Sequence, residues 1–142
     1  MDLQLTGKRA LVTGSSSGIG RGIALALAHE GAQVVVHGRS RTRSEESAEL
    51  IRAAVGAAHV AIGDLASDDG ARAVAAAVNV QLGGVDILVN NVGGLEGSGG
   101  AKPSWFDSLP EHWAATLPQN LVAAVRMTHA FVPGMRDRGW GA

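Results

Sequence analysis

The chain has 142 residues, 46% of them hydrophobic, which suits one domain of residues 1–142 with a real core. It has no cysteine and no tyrosine, which excludes a disulfide scaffold, a thiolate metal site, a cysteine nucleophile and a phenolic acid or base. Twelve lysines and arginines balance 13 aspartates and glutamates, so no broad attraction to nucleic acid or anionic lipid is implied.

The start of the chain does not resemble a targeting segment. An aspartate follows Met1, and no basic stretch precedes a long apolar one. No apolar run in the sequence approaches the roughly 18 to 20 residues of a membrane span. We therefore expect a soluble, cytoplasmic protein with neither a membrane nor a nucleic-acid partner.

Four short apolar runs alternate with longer helical segments. The runs do not alternate polar with apolar residues, which is typical of strands buried on both faces of a parallel sheet. The sequence therefore predicts an α/β fold, a doubly wound, Rossmann-like parallel sheet of order βαβαβαβα. The expected strands are Arg9–Thr13, Gln33–His37, His59–Ile62 and Val85–Val89, and the expected helices between them are Ile19–His29, Ser40–Val55 and Ala71–Leu82.

A loop and a last helix follow the fourth strand. The segment Gly93–Pro110 is rich in glycine, and we expect Trp105 and Phe106 to anchor it. Pro118 is expected to kink the helix predicted at Glu111–Met135, because proline removes a backbone donor and collides with the preceding turn. The last eight residues resemble the turn before a fifth strand. We therefore expect a fold truncated before that strand, with the fourth strand as an exposed edge.

A glycine loop joins the first strand to the first helix. Glycines permit a tight turn and a close backbone approach to a diphosphate, and the amides at a helix start attract anions. No Gly-Lys-Ser/Thr follows, which excludes a Walker loop. An ordinary glycine-rich turn is the alternative, but its position after the first strand favours a dinucleotide site. The predicted binding residues are Gly14, Ser15, Ser16, Ser17, Gly18, Ile19 and Gly20.

Four motifs in the same order resemble those of the short-chain dehydrogenase/reductase family. They are Thr13-Gly14-x-x-x-Gly18-x-Gly20, Asp64-Leu65 after the third strand, Asn90-Asn91-Val92-Gly93 after the fourth, and Trp113 with Asn120 seven residues later. Valine stands in the third motif where the family usually has alanine. The resemblance covers essentially the whole chain and implies the amino-terminal, cofactor-binding half of such an enzyme.

The resemblance also implies roles for single residues. Asp64, with Leu65, would lie beside the adenine, where a carboxylate can accept from the exocyclic amino group; a turn aspartate is the alternative. Asn90 would contact the ribose or hold the fourth strand to its neighbour, and Gly93 belongs to the same motif. Asn120 matches the family's catalytic asparagine. No histidine and carboxylate grouping has the spacing of a metal site.

The end of the second strand predicts which cofactor is bound. An acid there favours NAD, whereas an arginine accommodates the 2′-phosphate of NADP. Gly38 stands where an NAD-type member would carry aspartate, and Arg39 follows with Ser40. A guanidinium can make two parallel charge-assisted bonds to a phosphate. We therefore expect NADP (NADPH) to be preferred over NAD; an Arg39 that is merely solvated is the alternative.

The resemblance implies hydride transfer between the nicotinamide and an alcohol or carbonyl substrate. The family's catalytic set is an asparagine, a serine, a tyrosine and a lysine, and only the asparagine has a counterpart here, Asn120. We therefore expect the chain alone to be inactive, and to form a homo-oligomer or be completed by another chain. The alternative is a non-catalytic nucleotide-binding or assembly module.

Overall fold

The computed structural model describes residues 2–94 and 104–142. Four parallel strands form one sheet of order β3-β2-β1-β4, which confirms the predicted doubly wound α/β fold. The strands are β1 (Arg9–Val12), β2 (Gln33–Gly38), β3 (His59–Ile62) and β4 (Ile87–Val89). The helices between them are α1 (Gly18–His29), α2 (Arg41–Val55) and α3 (Asp68–Leu82).

Both faces of the sheet are covered, which explains why its strands are apolar throughout. Successive side chains of a strand point to opposite faces. Val34 and Val36 pack in a core with α1 and α2, whereas Val35 belongs to the core under α3 and the last helix. All three side chains are fully buried.

Two helices begin where a serine caps them. Ser40 precedes α2 and its hydroxyl accepts from the Arg43 amide, so the helix begins one residue later than expected. Ser67 accepts from the Gly70 amide at 3.1 Å, so α3 begins at Asp68, three residues earlier than expected. A serine at the N-cap satisfies an amide that the helix itself cannot. The fourth strand is shorter than its apolar run, because only Ile87–Val89 pair as strand.

The last helix is interrupted at Pro118, as expected. Helix α4 (Pro110–Leu117) leads into a π-helical turn (Pro118–Val122), and α5 (Ala123–Arg138) follows. Proline has no amide proton, and the Ala123 amide bonds to the Pro118 carbonyl five residues back. The interruption therefore takes the form of a widened turn. The predicted range Glu111–Met135 differs from the observed helical segment by one residue at the start and three at the end.

The loop before α4 is described only from residue 104, and residues 95–103 of the predicted loop lie outside the described residues. Residues Trp105–Asp107 form a 3₁₀ turn. Trp105 packs edge-on against Trp113, with 5.0 Å between ring centroids. The side chain of Phe106 is 94% exposed. The prediction that Phe106 anchors this loop is therefore wrong.

The expected open edge of β4 is paired at one point. The Ala142 amide donates to the Asp86 carbonyl at 2.9 Å, and the Leu88 amide donates to the Ala142 carbonyl at 2.8 Å. This is the slanted pattern of a parallel pair. The rest of this edge borders a groove beside α5. Within residues 2–94 and 104–142, no helix is long and apolar enough to cross a membrane.

Candidate functional site

A cleft of about 490 Å³ opens at the carboxyl ends of the strands. The chain leaves β3, crosses back over the sheet and adds β4 on the far side of β1, so the strand order reverses between β1 and β4. Ligands of open α/β sheets bind at such a point. Three segments and Gln119 of the π-helical turn line the cleft: Gly14, Ser16 and Ser17; His37, Gly38, Arg39, Ser40 and Arg43; and Asn91, Val92 and Gly93.

The glycine turn brings α1 unusually close to the strands. Gly14 has a φ of +66°, a conformation that L side chains rarely adopt. A Cβ on Gly20 would lie 2.4 Å from the Gly14 carbonyl oxygen and 2.5 Å from Nδ2 of Asn91. The two glycines therefore let the first turn of α1 sit directly over the loop after β4.

Asn91 and Thr13 join that loop to the turn. Nδ2 of Asn91 donates to the carbonyl oxygens of Thr13 (3.0 Å) and Gly14 (3.2 Å). The Thr13 hydroxyl accepts from the amides of Asn91 and Val92, both at 3.0 Å, and donates to the Val89 carbonyl at 3.2 Å. One wall of the cleft is thus held by side-chain bonds across two strands.

His37 is a cleft residue that the sequence motifs did not single out. Its ring is buried under the cleft floor; Nδ1 accepts from the Gly14 amide at 3.0 Å, and Nε2 lies 2.9 Å from the Gly63 carbonyl oxygen. Burial lowers the pKa of His37 below its ordinary value, against a smaller opposing effect of the hydrogen bond to Gly63. The signal in the sequence was a histidine inside an otherwise apolar strand, directly before Gly38.

The end of β2 has no room for a side chain at Gly38. A Cβ there would lie 2.6 Å from Oγ of Ser44 and 2.9 Å from Cβ of Ser16. The side chain of Arg39 is exposed and lines the cleft. Arg43 also lines it, with Nη2 donating to the Ser17 hydroxyl at 3.2 Å. Two arginines therefore line the cleft just beyond the end of β2.

The structure gathers six of the predicted binding residues around the cleft and leaves others out. Those that line it are Gly14, Ser16, Ser17, Arg39, Ser40 and Gly93. Gly18, Ile19 and Gly20 form the adjacent start of α1, and Ile19 is 79% exposed. The Ser15 side chain faces away: it is fully buried, and its hydroxyl donates to the Val12 carbonyl and accepts from the His37 amide. The predicted ligand contact of Ser15 therefore does not fit its placement.

The residues predicted for the adenine lie outside the cleft lining. One carboxylate oxygen of Asp64 accepts from the Ala66 amide at 3.0 Å, the arrangement of a turn aspartate. Leu65 is only 2% exposed and packs in the hydrophobic core. Arg126 of α5 holds this loop by donating to the Leu65 carbonyl at 3.1 Å. The Leu65 side chain therefore has a structural place in the core.

Asn90 and Asn91 point in opposite directions. Asn90 is exposed and borders the separate groove beside α5, whereas Asn91 lines the cleft. Of the two, the predicted residue was Asn90. Asn91 is turned toward the glycine turn by its two donated bonds to Thr13 and Gly14, and within the described residues Asn90 makes no such contact.

Asn120 lies in the π-helical turn beside the loop after Gly93. Its Oδ1 accepts from the Gly94 amide at 2.9 Å, and its Nδ2 donates to the carbonyls of Gly94 (2.6 Å) and Thr116 (2.9 Å). The neighbouring Gln119 reaches the cleft lining. Over residues 2–94 and 104–142, no three histidines, aspartates or glutamates are grouped to hold a metal ion.

Known proteins are similar to this chain in sequence and fold. The short chain dehydrogenase family model matches residues 8–142. The chain is 38% identical to the uncharacterised oxidoreductase YvrD of Bacillus subtilis, over 99% of this chain and 51% of that protein. It is also 38% identical to the D-beta-hydroxybutyrate dehydrogenase of Cupriavidus necator, over 96% of this chain and 51% of that protein.

Solved structures agree with these matches. L-Sorbose reductase from Gluconobacter frateurii, complexed with NADPH and L-sorbose, has a TM-score of 0.87 and 38% identity, over 99% of this chain and 52% of that one. A gluconate 5-dehydrogenase from Burkholderia cenocepacia, in complex with NADP and tartrate, has a TM-score of 0.82 and 33% identity, over 96% of this chain and 52% of that one. The chain spans about half the length of the relatives it matches.

Proposed function

The chain belongs to the short-chain dehydrogenase/reductase family, and we propose that it is the NADP(H)-binding portion of an oxidoreductase that acts on a small alcohol or carbonyl compound. The cleft at the strand-order reversal, with Arg39 directly after β2 and Arg43 in the first turn of α2, is the observation that carries the proposal. A bound nicotinamide would supply or accept the hydride. The residues of this chain would bind and orient it.

The start of α1 would hold the cofactor diphosphate. The first amides of a helix have no partner within the helix and attract anions. Here that start opens on the cleft: a Cβ on Gly18 would have no atom within 4 Å, and Ser16 and Ser17 line the wall beside it. The hydroxyls of these two serines would add polar contacts to the same group.

Arg39 and Arg43 would hold the 2′-phosphate that distinguishes NADP from NAD. The carboxylate that would accept from a ribose diol in NAD has no counterpart at position 38, and the crowding by Ser16 and Ser44 leaves no space for one. Two guanidinium groups instead favour a phosphate dianion. The NADPH and NADP found in the two solved relatives support this reading.

Asn120 would act on the substrate side of the nicotinamide, where its bonds to Gly94 tie the π-helical turn to the loop after β4. The 142 residues contain no tyrosine, so the family's proton donor has no counterpart among them. We propose that this chain alone binds cofactor without turning over a carbonyl substrate. A non-catalytic nucleotide-binding module would share this behaviour.

The test is the affinity for NADP⁺ and NAD⁺ measured by calorimetry. We expect the wild-type protein to bind NADP⁺ at least about tenfold more tightly than NAD⁺, because a charge-assisted bond to the phosphate is worth about 1.5–3 kcal/mol. Arg39→Ala should lose about tenfold in affinity for NADP⁺ and change little toward NAD⁺.

Arg41→Ala is the matched control. Arg41 is an exposed arginine at the start of α2 that does not line the cleft, so its loss should change NADP⁺ affinity by no more than about twofold. Equal affinities for NADP⁺ and NAD⁺ in the wild-type protein would refute the preference. A loss in R41A as large as in R39A would show a general charge effect in place of a phosphate site.

A further inference from the structure

His37 connects the two loops that face each other across the floor of the cleft. Its ring lies between the Gly14 amide, in the turn after β1, and the Gly63 carbonyl, at the end of β3. The backbone of His37 bonds to Ser15: the His37 amide donates to Oγ of Ser15, and the His37 carbonyl accepts from the Ser15 amide. The residue is 1% exposed, so these bonds are shielded from water.

The contacts decide the protonation state of the ring. An amide can only donate, so Nδ1 must be the unprotonated, accepting nitrogen; Nε2 then carries the proton and donates to the Gly63 carbonyl. A second proton on Nδ1 would set two donors against each other at 3.0 Å. The geometry therefore accommodates one neutral tautomer and opposes the imidazolium.

The charged groups around the ring come from three segments. Asp64, in the loop after β3, favours the protonated ring, but its effect is smaller than that of burial. Arg39 and Arg43, at the end of β2 and in α2, line the same cleft. The turn after β1 and the loop after β4 bring serines and asparagine to the cleft and no titratable side chain among the described residues.

We propose that His37 is a positioning residue for the cofactor: its neutral ring sets the spacing between the glycine turn and the end of β3, and its protonation weakens cofactor binding. The inference rests on the proposed function of the cleft. His37 acts through Gly14, because a turn released from the ring would no longer hold the first amides of α1 at the cleft.

The experiment compares NADP⁺ binding at about pH 7.5 and about pH 5 in the wild-type protein, in His37→Asn and in His29→Gln. The asparagine amide oxygen can accept from Gly14 but does not titrate. We expect affinity to fall at least about twofold more in the wild-type protein than in H37N on going to the lower pH, because only the wild-type ring can gain a proton and lose its bond from Gly14. His29 is exposed on α1, so H29Q should follow the wild-type protein.

The outcomes separate this inference from the proposed function. Equal falls in the wild-type protein and H37N would overturn the positioning role and leave the cofactor site intact, whereas no NADP⁺ binding at neutral pH would overturn the cofactor site itself. If NADP⁺ does not bind, hydrogen exchange of the Gly14 amide in the nucleotide-free protein tests the contact between His37 and Gly14. His37→Leu should reduce protection of that amide about tenfold, whereas H37N, which keeps an acceptor, should retain it; unchanged protection in H37L would refute the positioning role.

Discussion

Single side chains hold the walls of the cleft. Asn91 closes the gap between β4 and the glycine turn with two donated bonds, and the Thr13 hydroxyl gathers the amides of the same loop. The neighbouring Asn90 is exposed and faces the other groove. Two residues of the same type, adjacent in the chain, therefore have different roles.

Asn91→Ala should destabilise the protein, because the carbonyls of Thr13 and Gly14 lose a donor in a partly buried place. The expected cost is about 1–3 kcal/mol in the free energy of unfolding, measured by urea denaturation. Asn90→Ala is the matched control and should stay within about 0.5 kcal/mol of the wild-type protein, as exposed positions do. Similar losses in both variants would mean that the observed contacts of Asn91 do not stabilise the turn.

At the scale of elements, two glycines of α1 differ in how closely their helix face packs against the sheet. Gly20 lies on the inner face of this helix, and its missing side chain lets the Gly14 carbonyl and Asn91 approach. Gly22, two residues on, is exposed and has no atom within 4 Å of a would-be Cβ. One helix thus contains a glycine required by packing and a glycine that packing does not require.

Alanine at these two positions should have effects of opposite sign. Gly20→Ala forces a methyl group against backbone atoms and should lower the free energy of unfolding by about 1–3 kcal/mol. Gly22→Ala should raise it by about 0.5–1 kcal/mol, because alanine has the higher helix propensity. Thermal and urea unfolding of the two variants measure both. Stabilisation by G20A would show that α1 does not pack as closely as described.

At the scale of the whole molecule, the sheet has the cleft at its carboxyl end and an ion-pair network at its amino end. At the amino ends of β1 and β4, the Asp86 carboxylate accepts from Nε of Arg9 at 2.8 Å and Nη2 at 2.7 Å. Arg138, in the last turn of α5, lies 3.3 Å from the same carboxylate and donates to the Val85 carbonyl. This network joins the central strands to the last helix.

Asp86→Asn should cost about 2–3 kcal/mol at neutral pH, because it leaves partly buried arginines without their counter-charge. Arg9 holds the pKa of Asp86 well below its usual range, so this stability is present above the unfolded-state value of about 4 and is lost as pH falls through the lower folded-state pKa. The urea midpoints of the wild-type protein and D86N should therefore converge in acid.

Asp137→Asn is the control for this prediction. Its pair with Arg136 is 3.8 Å long and exposed on both sides, so the variant should unfold at the wild-type midpoint. A gap between the wild-type protein and D86N that persists unchanged below about pH 3 would contradict the assigned cause.

The last helices have an exposed apolar stripe that another protein chain could cover. Trp113, Leu117, Leu121 and Val125 recur at four-residue spacing along α4, the π-helical turn and α5, and each is about half exposed. Such a stripe suits a partner surface. Association with a second copy or completion by another chain stays a prediction.

The sequence by itself determined the fold class, because apolar strands without alternation can be buried only in a parallel sheet covered on both faces. It also determined the place of the cleft, because the glycine turn and Arg39 follow strands whose carboxyl ends meet. The break at Pro118 was equally predictable, since proline lacks the amide that a regular helix needs.

The tertiary structure alone decided which side chains face the cleft. Ser15 and Leu65 lie in binding motifs but turn inward, and Asn91 takes the place expected of Asn90. In the sequence, His37 is only one residue of an apolar strand. In the structure, its ring lies between the turn after β1 and the end of β3. A motif shows which residues are near a site along the chain. The direction in which each side chain points depends on packing and on contacts between distant segments.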